Sequence, residues 1–267
     1  MPAYRDLLYE KQGRRVTITF NRPHRYNALT QHTFGEFADA LVNAAEDREA
    51  GVVVITGAGG KAFSSGGDVK ERTPEGYGES TLGRGVNIMR TIKTMPKPVI
   101  AAVDGYAIGW GNILAFNCDI TICTDRSRFG QTGPRVGSFD VGWGTVYLAR
   151  VVGQKKAREI WYTCRQYTGQ QALEMGLVNA VVPADRLQEE VDTWCSEILA
   201  KSPTAIAHIK ASFNADTDHI YGVHQMGHMA LEMYYATEES QEGGLAFNEK
   251  REPNFGKYLS PKIVPQG

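Results

Sequence analysis

The 267-residue sequence lacks a strong charge of either sign, since 29 Lys and Arg face 30 Asp and Glu for a formal net charge of -1. Nothing electrostatic therefore attracts the whole molecule to nucleic acid or to an anionic membrane, and we expect neither as a partner. No apolar run approaches the roughly 18 residues of a membrane span, and the first residues, MPAYRDLLYEKQGRR, contain no apolar segment typical of a secretory signal. These absences predict a soluble, cytoplasmic protein.

Motifs for metal, redox or dinucleotide chemistry are also missing. None of the four cysteines belongs to a CxxC pair, so we expect free, buried thiols. The turn in VVVITGAGG lacks the spacing of GxGxxG, which disfavours a nicotinamide enzyme. His224 and His228 could share a helix face, but neither the glutamate of HExxH nor a third ligand accompanies them. We therefore predict no metal site and a surface or interface position for this pair.

Strand-like and helix-like segments alternate along the first 200 residues. Residues 15–20 alternate apolar and polar side chains as a half-buried strand does, and Thr30 is predicted to cap the helix that follows. Apolar strands are predicted again at 51–56, 96–105 and 120–125. This order predicts an α/β fold with largely parallel strands.

The pattern changes in the last third of the chain. Helical spacing at 155–167 and 170–176 is followed by a short strand that ends at Pro183, and beyond it the periodicity is helical. We predict two regions: residues 1–200 as the α/β core and residues 201–267 as an all-helical C-terminal region.

Two glycine-containing loops are candidates for a functional site. FSSGGD (Phe63 to Asp68) and GYAIGWGN (Gly105 to Asn112) each follow an apolar strand and precede a predicted helix. Backbone N–H groups of two such loops can converge to stabilise a developing oxyanion. Ordinary tight packing is the alternative explanation for either loop alone. The unusual feature is Trp110, a bulky residue between two glycines.

The segments NRPHRYNALT, AFSSGGDVKE, PKPVIAAVDGYAIG, FGQTGPRVGSFDVGWGTVYLARVVGQKKAREIWY and ALEMGLVNAVVP resemble the crotonase (enoyl-CoA hydratase/isomerase) superfamily over nearly the whole chain. The resemblance implies a spiral of strand-strand-helix repeats and a helical C-terminal region that trimerises, giving a hexamer built as a dimer of trimers. It also implies an acyl-CoA substrate, with coenzyme A as part of that substrate and no tightly bound cofactor. The thioester oxygen would be held by the backbone N–H groups of Gly67 and Trp110.

The residues at the reacting end point to one branch of the superfamily. Hydratases carry two glutamates where this chain has Ile113 and Gly133, so simple hydration is disfavoured because neither side chain can transfer a proton. GSFD, REIWY and YYATEES resemble the branch of 1,4-dihydroxy-2-naphthoyl-CoA synthase and 2-ketocyclohexanecarboxyl-CoA hydrolase. In that branch the matching catalytic residues would be Ser138, Asp140 and Tyr235, the tyrosine often coming from a neighbouring subunit.

The resemblance further implies a set of substrate contacts. The residues expected to bind the acyl-CoA are Arg25, Tyr26, Ser65, Gly66, Asp68, Val69, Arg72, Tyr77, Tyr106, Ile108, Gly109, Thr132 and Lys250. Tyr77 is expected as a lid residue, and the cations of this set are expected near the CoA phosphates. In synthases that keep the glycine of FGQTG, a bicarbonate fills the carboxylate position, and the matching surroundings here are Gln131, Thr132, Gly133 and Trp161.

The branch contains two opposite reactions. The synthase closes a ring by attack of a thioester enolate, and the hydrolase opens a cyclic β-ketoacyl-CoA with water. Tyr26 and Val69 differ from the synthase pattern in the manner of the hydrolase, whereas VGSFD and WGTVYLARVV look more like the synthase. We favour the hydrolase, with the synthase as the alternative. An enoyl-CoA hydratase, or a CoA-ester-binding homologue whose oxyanion hole is damaged by Trp110, remains as a further alternative.

Overall fold

The structure, a computed structural model, describes residues 3–71 and 79–258, with the backbone alone at 79–86. The strands are β1 (Leu7–Gln12), β2 (Arg15–Phe20), β3 (Val52–Gly57), β4 (Ala62–Ser64), β5 (Val99–Val103), β6 (Tyr106–Ile108), β7 (Ile120–Thr124), β8 (Arg128–Gly130), β9 (Gln166–Thr168) and β10 (Ala180–Val182). The helices are α1 (Gln31–Glu46), α2 (Glu79–Thr94), α3 (Trp110–Asn117), α4 (Val146–Val152), α5 (Gln154–Thr163), α6 (Gly169–Glu174), α7 (Leu187–Leu199), α8 (Pro203–Asn214), α9 (Asp218–Tyr235) and α10 (Glu238–Glu249). Among these described helices, none is long and apolar enough to cross a membrane.

The strands form two sheets, one of six strands in the order β1-β2-β3-β5-β7-β10 and one of four in the order β4-β6-β8-β9. In the larger sheet β1 and β2 are antiparallel and every other pair is parallel. Its central strands read as apolar runs because both faces are covered, and all five side chains of β5 are buried. In the smaller sheet β4, β6 and β8 are parallel.

The connection between the sheets confirms the predicted spiral. The strand pairs β3-β4, β5-β6 and β7-β8 each place their first strand in the larger sheet and their second in the smaller one. A helix then follows at α2, α3 and α4. Strand-strand-helix repeats therefore stack through the molecule, and the carboxyl ends of the short strands β4, β6 and β8 lie side by side.

Helix α1 shows how closely local signals agree with the structure. Thr30 caps it by accepting a hydrogen bond from the Thr33 N–H at 3.1 Å. Phe34, Phe37 and Leu41 then recur at helical spacing and are at most 4% exposed. The cap at Thr30 matches its predicted role, and the apolar stripe specifies the same helix.

The prediction of one helix over residues 155–167 is wrong at its C-terminal end. Helix α5 stops at Thr163 because Cys164 adopts the left-handed conformation, with φ of +51°. Gln166–Thr168 then forms strand β9, antiparallel to β8. The three-residue strands β4, β6 and β8 and helix α4 were not predicted, since elements so short show no readable periodicity.

The C-terminal helices pack directly onto the core. Lys210 on α8 is 6% exposed and donates hydrogen bonds to the Lys97 carbonyl at 2.9 Å and to Asp119 at 2.6 Å. Ser240 on α10 donates to the Gly137 carbonyl at 2.6 Å. These contacts attach α8 and α10 to elements of the core, while the division at residue 200 stays a prediction.

Candidate active site

A cavity of about 1050 Å³ lies between the ends of the short parallel strands and the helices α9 and α10. It brings together every described residue predicted for the site: Arg25, Tyr26, Ser65, Gly66, Gly67, Asp68, Val69, Tyr106, Ile108, Gly109, Trp110, Gln131, Thr132, Gly133, Ser138, Asp140, Trp161, Tyr235 and Lys250. The predicted contacts Arg72 and Tyr77 lie outside the described residues. Residues up to 225 positions apart in the sequence thus share one cavity.

The two glycine-containing loops leave the same edge of the smaller sheet. Strands β4 and β6 are parallel neighbours, and Gly66 lies so close to the second loop that a Cβ there would be 3.1 Å from the Trp110 nitrogen. With φ at +88°, Gly66 also needs the conformational freedom of glycine. The close contact between the loops therefore depends on the absence of a side chain at Gly66.

The backbone nitrogens of Gly67 and Trp110 are candidates for binding an oxyanion. Trp110 is the first residue of α3, where an N–H has no acceptor within the helix. Neither this N–H nor that of Gly67 has an acceptor among the described residues, whereas the Gly109 N–H donates to the Gly130 carbonyl at 2.9 Å. The start of α3 adds the positive end of a helix dipole.

The Trp110 indole belongs to the wall of the cavity. It packs edge-to-face on Phe34 with ring centroids 4.7 Å apart, and both residues line the cavity. The side chain is half-buried and packed against the core. Tryptophan therefore fits between its glycines because its ring leaves the loop and covers α1.

Two hydroxyl groups of the cavity wall come from the loop after β8 and from α9. Ser138 follows the 3-10 turn Gly133–Val136, and its hydroxyl lies 2.7 Å from the hydroxyl of Tyr235. Tyr235, the last residue of α9, is 2% exposed and belongs to the same chain. Two predicted catalytic hydroxyls are thus joined by a hydrogen bond within one subunit.

Asp140 places a carboxyl group in the same wall. Burial raises its pKa to about 7, and a weaker interaction with the Gly144 N–H acts in the opposite direction. Its side chain is 15% exposed, and its Oδ1 atom has no hydrogen-bond partner among the described residues. A carboxyl group with such a pKa can exchange a proton near neutral pH.

A surface position, one of the two predicted for the histidine pair, is wrong for His224, and an interface position stays a prediction. His224 is 4% exposed and donates from Nδ1 to the Val141 carbonyl at 2.9 Å, and its Nε2 lies 3.0 Å from Nε2 of His228. His228 lines the cavity. The i, i+4 spacing correctly indicated a shared face, but that face is turned toward the core. The described residues contain no cluster of three or more metal-ligating side chains.

Cations surround the mouth of the cavity. Arg25 contacts Asp68 at 3.1 Å, and Arg22 lies 3.6 Å from the same carboxylate, so Asp68 is neutralised by two guanidinium groups. Lys250 and Lys70 are exposed and line the cavity. Lys70 was missed by sequence reasoning, although it follows directly on the predicted contact Val69.

The surroundings predicted for bicarbonate fit that anion only in part. Gln131 is 1% exposed and its amide atoms have no partner among the described residues. The Trp161 indole N–H, however, donates to the Gly144 carbonyl at 2.7 Å. A Cβ on Gly133 would already lie 2.8 Å from the Ser138 carbonyl oxygen. The Gln131 amide and the Thr132 hydroxyl remain as side-chain donors at the cavity, and we derive no catalytic step through bicarbonate.

Comparison with known proteins identifies the class that this fold and cavity define. Residues 10–258 match the family model described as enoyl-CoA hydratase/isomerase, and the chain belongs to that family. It is a crotonase-family acyl-CoA enzyme.

Solved structures of the family are similar over nearly their whole length. An enoyl-CoA hydratase from Mycobacterium avium subsp. paratuberculosis K-10 is 30% identical, with a TM-score of 0.86 over 95% of this chain and 99% of the other. An enoyl-CoA hydratase/isomerase from Pseudoalteromonas atlantica T6c is 25% identical, with a TM-score of 0.85 over 94% and 100%. A methylmalonyl-CoA decarboxylase in complex with 2-nitronate-propionyl-CoA is 28% identical, with a TM-score of 0.81 over 95% and 99%. Different reactions therefore occur on this fold.

Proposed function

We propose that the protein makes or breaks the ring carbon–carbon bond of a cyclic β-ketoacyl-CoA, in the ring-opening direction of a 2-ketocyclohexanecarboxyl-CoA hydrolase. The observation that carries this proposal is that, among the described residues, no cation is hydrogen-bonded to the Asp140 carboxyl group. Among described residues lining the cavity, Asp68, Asp140 and Glu252 have carboxyl groups. Asp68 is bound by two arginines and exposed Glu252 pairs with Arg135, so Asp140 is the buried carboxyl group without a hydrogen-bonded cation.

Asp140 is proposed to activate water toward the ring ketone. The water oxygen bonds to the ketone carbon and its proton passes to Asp140. The bond between that carbon and the α-carbon then breaks, and its electron pair becomes the thioester enolate. The proton on Asp140 returns to the α-carbon, which leaves an open-chain acyl-CoA with a new carboxyl group. Ser138 and Tyr235 would orient the ketone and hydrogen-bond to its oxygen.

The departing enolate needs stabilisation at the thioester oxygen. The N–H groups of Gly67 and Trp110 are proposed to donate to that oxygen, a role for which they have no competing acceptor among the described residues. One donor of this kind lowers a barrier by roughly 3–4 kcal/mol. Arg25 and Lys250 at the cavity mouth are proposed to contact the CoA phosphates.

The synthase reaction is the second candidate, because closing a ring through a thioester enolate uses the same backbone donors and the same Ser138–Tyr235 pair. Simple hydration is disfavoured by two positions in the cavity wall. Ile113 is 2% exposed, and Gly133 has no side chain. Neither can exchange a proton with water. Bicarbonate binding near Gln131 stays a proposal that would accompany the synthase reaction.

Assembly into a homo-hexamer belongs to the same proposal. Helices α8 and α9 expose apolar side chains that a monomer would leave in water: Ile209, Phe213, Met226, Met229 and Met233 are 54–78% exposed. Clusters of exposed apolar residues mark association surfaces. We expect a second copy of this chain to cover them, and light scattering of the purified protein measures the resulting mass.

The function is tested by separate incubation with 2-ketocyclohexanecarboxyl-CoA and o-succinylbenzoyl-CoA, followed by mass analysis of the products. Ring opening adds one water to the first substrate, which is the expected result. Loss of one water from the second substrate alone would identify the synthase instead. Rapid hydration of crotonyl-CoA would contradict the argument from Ile113 and Gly133, and binding of all three esters without turnover would show a binding protein.

A further inference from the structure

The histidine pair on α9 is held against the wall that contains Asp140. Gly142 has φ of +66°, and a Cβ there would lie 2.5 Å from the His224 Cβ. Gly227, between the two histidines, likewise has no room for a Cβ beside Val141. Glycines on both sides thus allow α9 to approach the loop 140–144 closely. His224 Nδ1 consequently reaches the Val141 carbonyl at 2.9 Å and lies 4.0 Å from Asp140 Oδ1.

The hydrogen bonds of the pair fix which ring nitrogens carry protons. A carbonyl oxygen only accepts, so His224 Nδ1 must be protonated to bond to Val141. In the neutral ring His224 Nε2 then has a lone pair, and His228 Nε2 must donate to it across 3.0 Å. The lone pair of His228 is thereby assigned to Nδ1. Burial lowers the pKa of both rings, that of His228 to about 4, so both are neutral near pH 7.

His228 therefore carries a neutral hydrogen-bond acceptor, its Nδ1 atom, on a ring that belongs to the cavity lining. It lines the cavity, and its Nδ1 has no hydrogen-bond partner among the described residues. A ring ketone offers no proton to such an acceptor. Water and the hydroxyl group formed when water adds to the ketone do offer one. The acceptor is thus better matched to the hydrated state of the ketone than to the substrate, which is the condition for lowering a barrier.

We propose that His228 is a further catalytic residue of the ring-opening reaction, accepting a hydrogen bond from the attacking water and from the hydroxyl group that this water becomes. His224 and the Val141 carbonyl act through His228 as positioning groups that fix its tautomer. The proposal rests on the ring-opening function, and it adds a second acceptor beside Asp140 for the two protons of the water.

The test compares binding of two esters that cannot be opened, 2-hydroxycyclohexanecarboxyl-CoA and cyclohexanecarboxyl-CoA. A net hydrogen bond of about 0.5–1.5 kcal/mol predicts that wild type binds the hydroxy ester about 2–10-fold more tightly. His228→Leu should remove this preference, so that the ratio of the two affinities falls to about 1, whatever the affinity for the unsubstituted ester. The matched variant His228→Asn retains an acceptor near Nδ1 and should retain the preference. His224→Asn keeps a donor for the Val141 carbonyl but removes the ring nitrogen that accepts from His228. The tautomer of His228 is then no longer fixed, and the preference should weaken.

Two results would overturn the proposal: no preference in wild type, or an undiminished preference in His228→Leu. Nitrogen NMR of histidine-labelled wild type is a second measurement that does not depend on any variant folding. It should show opposite tautomers, with Nδ1 protonated in His224 and unprotonated in His228. A protonated Nδ1 in His228 would contradict the assignment. If the ring ketone is not turned over at all, the ring-opening function fails, while the binding comparison still decides the role of His228 as an acceptor.

Discussion

The cavity has two walls that are built by different means. The backbone wall, formed by the loops of Gly67 and Trp110 after β4 and β6, offers N–H groups whose positions are set by strand pairing and by Gly66. The side-chain wall, formed by Ser138, Asp140 and Tyr235, offers proton-transfer groups held by a loop and by α9. A backbone donor does not depend on its own side chain, so the backbone wall can contain a tryptophan. Under the proposed function, we expect the side-chain wall to determine which reaction occurs.

Among substitutions in the side-chain wall, Asp140→Asn is expected to have the largest effect on kcat. Removing a general base lowers kcat by about 10³-fold, within the range for such groups. Ring opening is followed by product mass, and binding of cyclohexanecarboxyl-CoA should be unchanged.

Stability provides the control for this variant. Because burial raises the Asp140 pKa above its unfolded value, the folded state holds a proton that the unfolded chain has lost. The free energy of unfolding therefore falls as pH rises from about 4 to about 7. Asparagine does not ionise, so this fall in the free energy of unfolding is absent in Asp140→Asn. The variant should therefore be at least as stable as wild type at pH 8. An inactive variant that is less stable at that pH would contradict this explanation.

Gly66→Ala is the substitution that disturbs the geometry of the backbone wall most directly. The added Cβ would lie 2.9 Å from the Ile108 carbonyl and 3.1 Å from the Trp110 nitrogen, so the two loops must separate. Displacing one oxyanion donor is expected to lower kcat by about 10²-fold. Gly13→Ala is the matched control, since Gly13 also has positive φ but has nothing within 4 Å of a Cβ. It should cost about 1–2 kcal/mol of stability and leave kcat unchanged.

Tyr235→Phe is expected to have an intermediate effect. It removes the 2.7 Å hydrogen bond to Ser138 while preserving the ring, and kcat should fall about 10-fold, near the value of one hydrogen bond to a reacting group. Ser138→Ala should produce a similar loss. Because the two hydroxyls share a bond, the double variant should lose less than the product of the single effects. Independent, multiplicative losses would show that the pair does not act as a unit.

Trp110→Gly should have the smallest effect on turnover. The variant keeps the backbone N–H and removes the indole that packs on Phe34 at 4.7 Å. We expect kcat to change less than about 3-fold, because the donor is preserved. The preference among acyl groups should shift toward larger rings, as competition between ring sizes would measure. A loss as large as that of Gly66→Ala would show that the indole holds the loop in place.

Much of the fold and site could be predicted where local signals and core packing agree. The cap at Thr30 and the apolar runs of the larger sheet identified α1 and the central strands. The residues that the family motifs predicted for the site lie around one cavity, as far as the structure describes them, and their roles stay predictions. Strands β4, β6 and β8 escaped prediction because three residues form a strand only through their neighbours in the sheet.

Helix α9 shows a different reason for failure. Hydrophobicity would place its methionines inside and its histidines outside, yet Met226 is 67% exposed and Met229 65% exposed, while His224 is 4% exposed. Its buried residues mix the apolar Ile220 and Leu231 with His224 and Tyr235, and this face forms part of the cavity wall. Its exposed residues include Met226, Met229 and Met233 together with Gln225 and Glu232, and exposed apolar side chains of this kind are expected of a surface that another subunit covers. Which of these histidines and methionines are buried cannot be read from periodicity alone, since spacing gives the face but not its direction.

The central claim is that the Asp140 carboxylate is the base of the ring-opening reaction, and the pH dependence of kcat/KM tests it most directly. This ratio reports the ionisation of the free enzyme. Because burial raises the Asp140 pKa to about 7, kcat/KM for 2-ketocyclohexanecarboxyl-CoA should rise as pH increases through 7 and level off above it. A profile that is flat between pH 5 and pH 8, or that falls over this range, would contradict the account.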